Sequence, residues 1–134
     1  MKRWIGLSAS TVLGPALAGA AAVWTRAPFF DSAQMLSLFR NVSISAIPAA
    51  AYFAILLGDH LRARAEDQGG AARLVLEAHV LGLALAGLLL LMVLGLAGMA
   101  SGISWELFVT AAAASAAGGS GLAWGAVAGL RETI

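Results

Sequence analysis

Residues 74–100 read LVLEAHVLGLALAGLLLLMVLGLAGMA, a run whose only ionisable groups are Glu77 and His79. As a helix at 1.5 Å per residue it extends about 40 Å, more than the roughly 30 Å of a bilayer's hydrocarbon core. A span this long and this apolar must satisfy its own backbone hydrogen bonds, and an α-helix does so within one segment. The rest of the chain has to be compatible with such a helix.

Three further runs share its character. WIGLSASTVLGPALAGAAAVW, residues 4–24, is bracketed by Trp4 and Trp24, a pattern suited to the two membrane interfaces. A second run begins near Ser32, and a fourth extends from Trp105 past Trp124, again a tryptophan bracket of about membrane thickness. The expectation is an all-α integral membrane protein, a four-helix transmembrane bundle with helices at about 4–24, 32–65, 73–100 and 104–130 in a single transmembrane domain, 1–134. Only 11% of the residues are charged, where a soluble domain carries about a quarter. An alternative reading of the start is a signal peptide, with a basic head at Lys2 and Arg3 and an A-x-A site at Ala18–Ala20.

The connections carry start and stop signals. Asp31 with Gln34 three residues on forms a variant of the capping box, and Phe30 with Met35 the matching hydrophobic staple. Gly69-Gly70 is the clearest break. Ser104 caps the fourth helix, with Glu106 in its first turn. Asp59–Arg62, Arg62–Glu66 and Arg73–Glu77 are spaced for pairing along a helix. Small residues recur at i, i+4: Gly6, Ser10, Gly14, Ala18 and Ala22 in the first helix, Ala113, Ala117, Gly121, Gly125 and Gly129 in the fourth. The spacing predicts close Ala/Gly-rich packing. It does not name the partner, because nearly every face of residues 111–121 is small.

With four spans and the N-terminus inside, Lys2, Arg3, Arg62, Arg64, Arg73 and Arg131 fall on the cytoplasmic side, and Arg26 and Arg40 outside. That split predicts N-in/C-in topology, both termini cytoplasmic, in a bacterial inner membrane. A net charge of +1 gives no reason to expect nucleic acid as a partner, and without cysteine there is no disulfide, thiolate metal site or thiol nucleophile.

The second helix carries a polar seam: Gln34, Ser37, Asn41, Ser45, Pro48, Tyr52 and Asp59 fall within about a third of its circumference. The seam reads either as helix-packing glue or as the wall of a pore, since hydrocarbon offers such groups no partners. Arg40 is an outer charge that snorkels to headgroups or guards a vestibule. Asp59, Glu77 and His79 are candidates for a proton relay, and His60 with His79 for a metal or haem. Against a shared site, Glu77 and His79 stand about 200° apart on their helix, and the Glu-x-x-His motif of di-iron bundles is missing.

The leading expectation is a non-enzymatic accessory or assembly subunit of a membrane complex, without cofactor. Its partners are the lipid bilayer and a second copy or another membrane protein. The alternatives are a small channel or proton-coupled transporter using the seam, and a membrane oxidoreductase or haem-binding subunit at His60 and His79.

Overall fold

A computed structural model describes residues 2–67 and 71–131, with side chains placed for 5–64 and 72–129. Four helices make up the fold: α1 (Lys2–Arg26), α2 (Ser32–Asp67), α3 (Ala71–Ala100) and α4 (Trp105–Arg131), with one 3₁₀ turn, Ala27–Phe29, between α1 and α2. Each of the four is long and apolar enough to cross a membrane.

The helix starts follow local chemistry. The Gln34 N–H donates to Asp31 Oδ1 at 2.8 Å, and the Asp31 N–H donates to Gln34 Oε1 at 3.0 Å, a reciprocal cap on α2. At α4 the Leu107 N–H donates to Ser104 Oγ at 3.1 Å. α3 stops because Gly102 adopts φ +86° and its N–H turns back to the Ala97 carbonyl at 3.0 Å. That left-handed conformation is one in which glycine meets no Cβ penalty.

α1 and α4 run antiparallel as the central pair. α2 packs mainly on α1, α3 mainly on α4, so the order across the bundle is α2–α1–α4–α3. The central seam is the two small-residue ladders laid against each other. A methyl group at Gly129 would stand 2.5 Å from the Gly6 Cα, and one at Gly125 would overlap the Ser10 backbone. Gly121 lies against Leu13 and Gly14, and Gly118 against Ala18. With no side chains to separate them, the backbones come close enough for the fully buried Ser10 Oγ to donate to the Leu122 carbonyl at 2.9 Å. Ala18 and Gly19, at the alternative cleavage site, are thus buried inside α1. A second face of α4 meets α3 the same way, where a methyl at Gly119 would approach the Gly82 carbonyl oxygen to 2.8 Å.

The end of the bundle holding the α2–α3 link is termed the link end, and the end holding the 3₁₀ turn and Ser101–Ser104 the distal end. The largest core cluster lies toward the link end: Leu57 and Leu61 of α2, Leu74 and Ala78 of α3, Ala123, Ala126 and Val127 of α4. Toward the distal end α3 bares large apolar side chains, among them Leu88, Leu91, Met92, Leu96 and Met99. So extended an apolar surface suits lipid rather than water.

Candidate functional site

α2 and α3 meet at the link end and part company beyond it. Where they diverge, a cavity of about 480 Å³ opens, walled by all four helices. Its floor is the central pair, with Gly14, Pro15 and Ala18 from α1 and Ala111, Gly118 and Leu122 from α4. One side wall is α2, from Leu38 to Phe53, and the other is the α3 segment from Ala86 to Val93. The small side chains that let the floor helices approach each other also leave little bulk to fill the space above them.

Among the described residues the lining includes no charged side chain. Four lining residues carry side-chain polar groups: Asn41, Ser45, Thr110 and Ser115. Ser45 Oγ donates within its own helix to the Asn41 carbonyl at 2.6 Å. The Thr110 hydroxyl lies 3.2 Å from that of Thr25, which itself donates to the Ala22 carbonyl at 2.8 Å. Hydroxyl groups satisfied in this way present little polarity to the cavity. The Asn41 amide and the Ser115 hydroxyl have no hydrogen-bond partner among the described residues.

The structure distributes the polar seam over several settings. Gln34 serves in the α2 cap, and Ser37 is half-buried. Asn41 and Ser45 edge the cavity. Pro48 and Tyr52 are exposed, with the Tyr52 ring 6.0 Å from that of Phe53. Asp59 pairs with Arg62, as the i, i+3 spacing suggests. A side-chain bond that ties α2 to α1 comes from outside the seam, where Ser43 Oγ donates to the Pro15 carbonyl at 3.1 Å. Its signal in the sequence is faint. Gly19 has no side chain because Ser43 and Phe39 occupy that space, and only the paired helices reveal it.

Arg40 is exposed, and at 100° per residue it falls opposite the cavity-lining face of α2. Glu106 is exposed in the first turn of α4. Arg26 lies over the rings of Phe29 and Phe30, 5.2 Å from each centroid.

At the link end, Glu77 of α3 is held by two residues of α2. Its Oε1 lies 2.9 Å from His60 Nε2 and 3.3 Å from Arg64 Nε. The expected i, i+4 partner was Arg73; the contacts formed instead cross between helices, because α2 passes this face of α3 at the link. The Glu66 side chain, the other expected partner of Arg62, lies outside the described residues. His79 points elsewhere. Its Nδ1 is 2.8 Å from the Val75 carbonyl oxygen, and its ring stands edge-on to Trp124 at 5.2 Å. Asp59, Glu77 and His79 are therefore not brought together, and neither are His60 and His79. Among the described residues no three His, Asp or Glu side chains form a group able to hold a metal ion.

No family model matches this chain, and comparison with curated proteins and with solved structures finds no match.

Proposed function

We propose that this chain is a non-enzymatic accessory protein of a bacterial inner membrane, with both termini cytoplasmic, and that its work is to hold a hydrophobic guest in the cleft between α2 and α3. The observation that carries the reading is the cleft itself: about 480 Å³, apolar, walled by four helices and uncharged. Small-molecule pockets are typically about 300–1,000 Å³, mostly apolar, with a few polar groups that orient the ligand. The orientation rests on the six-to-two distribution of basic residues.

Two features speak against the rival readings. A conducting path from the cleft to the link end would have to cross Leu57, Leu61 and Leu74, which are packed and buried. A haem clamp between His60 and His79 would have to pull His60 from Glu77 and His79 from Trp124.

Both parts of the proposal are measurable. The protein has no cysteine, so single-cysteine variants report topology cleanly. Ser101→Cys is expected to react with a membrane-impermeant maleimide from the periplasmic side, and Ala63→Cys only after the membrane is opened. The reverse pattern overturns the orientation. For the cleft, a hydrophobic polarity-sensitive dye is expected to bind the purified protein at one saturable site, lost in Ala114→Leu. Dye binding that Ala114→Leu leaves unchanged overturns the cleft reading.

A further inference from the structure

We infer that the guest is a membrane lipid, held by one acyl chain lying along the cleft with its ester carbonyl at the Asn41 amide. The inference rests on the cleft reading above and adds the identity of the occupant.

Width decides between the two hydrophobic occupants a membrane offers. The walls run from Leu38 to Phe53 on α2 and from Leu107 to Leu122 on α4, about 22 Å at 1.5 Å per residue. A volume of about 480 Å³ open to the centres of water-sized molecules, spread over that length, gives those centres a mean width of about 5 Å, or about 8 Å between the wall surfaces. An α-helix with its side chains is about 10–12 Å across and does not fit. A hydrocarbon chain, bounded by carbon–carbon contacts of about 4 Å, does.

Length and polarity place the lipid. From Asn41 to Phe53 the α2 wall extends about 18 Å, close to the roughly 15 Å that one leaflet contributes to the hydrocarbon core. Asn41 is near the distal end of that wall. Ser115 lies within about one turn of that level: Phe39 and Ser43 flank Asn41 and both meet Gly19, while Gly118, three residues on from Ser115, meets Ala18. These two are the cavity's polar side chains without a hydrogen-bond partner among the described residues. The Asn41 amide supplies N–H donors for a group that only accepts, which an ester carbonyl is. A chain reaches this position sideways, through the gap between the distal halves of α2 and α3. Because no charged side chain among the described residues lines the cleft, the headgroup stays outside it and its charge does not set affinity.

The test is lipid retention by the intact, delipidated protein, read by native mass spectrometry after exposure to vesicles. Diacyl phosphatidylcholine and diacyl phosphatidylglycerol are each expected to leave one lipid bound per chain, with affinities within about threefold. Filling the cleft with Ala114→Leu, or independently with Ala46→Leu, is expected to lower retention at least tenfold, with gel filtration and helical content matching the parent. Asn41→Leu is expected to lower affinity about three- to tenfold, the scale of one hydrogen bond in a membrane protein. The dialkyl ether analogue, which lacks the carbonyl, should show the same loss, and Asn41→Leu should add nothing to it. If ester and ether lipids bind equally, the carbonyl assignment is overturned. If the dye occupies the cleft but no lipid is retained, the cleft reading survives and the lipid occupant falls. If neither filling variant changes dye or lipid binding, both readings fall.

Discussion

The two halves of the bundle solve the same packing problem differently. At the link end the space between α2 and α3 is closed by Leu57, Leu61 and Leu74, with Ala78 and the 123–127 stretch of α4 beneath. Toward the distal end the facing residues are Ala46 and Ala49 on α2, Ala86 and Leu90 on α3 and Ala114 on α4, and the space stays open. The difference lies in side-chain volume rather than in polarity, since both regions are apolar. Leucine opposite leucine closes an interhelical gap; alanine opposite alanine holds two helices together only if their backbones can approach. α1 and α4 approach each other, because their small faces match along the whole seam. α2 and α3 do not, because each is already committed to a different member of the central pair.

Substitutions can break this contrast in order of expected size. Leu61→Ala removes a side chain that is 0 % exposed at the closed end. It is expected to cost about 2–4 kcal/mol, as large-to-small changes in packed sites do. Denaturant titration in mixed micelles measures it, and a cost below that of an exposed leucine such as Leu91→Ala would show that the closed end is not a packed core. Ser10→Ala removes the donor to the Leu122 carbonyl in the central seam. The expected loss is about 1 kcal/mol in the same titration, because interhelical hydrogen bonds in membranes are individually modest. The smallest effect belongs to the open half. Ala114→Leu adds volume where the cavity has room for it, so its stability should shift by less than about 1 kcal/mol, where overpacking a dense core costs about 1–3. A large loss there would mean that the cleft is a packed interface.

The helices and their ends were legible in the residues. Asp31 and Gln34 announce the start of α2, Ser104 that of α4, and the caps form as their spacing requires. The i, i+4 ladder from Gly6 to Ala22 was legible as a packing face, but its partner was not. α4 is small on nearly every side, and only assembly shows that Gly121, Gly125 and Gly129 face α1 while Gly119 faces α3. The cleft was legible only in part. Asn41 and Ser45 stood out as polar groups in an apolar helix, yet the cavity depends on Ala46, Ala49, Ala86 and Ala114. Alanines in an alanine-rich chain carry no individual signal. The link end misled for a related reason: helical spacing ranks Arg73 as the neighbour of Glu77, whereas His60 and Arg64 reach it across the helix pair. Local periodicity describes one helix at a time, and these contacts are between two.

The pairing of α1 with α4 also bears on how the protein is made. Ser10 and Leu122, which share the buried hydrogen bond, are 112 residues apart in sequence. At roughly 5–20 residues per second of synthesis, the glycine face of α1 waits on the order of 5–20 s for its partner. α2 arrives sooner, since Ser43 follows Pro15 by 28 residues. The α1–α2 contact at Ser43 is thus available well before α4 is made, whereas the α3–α4 contact at Gly119 and the α1–α4 contacts at Gly118 and Gly121 become available together. Until α4 has been made, the floor of the cleft lacks one of its two helices.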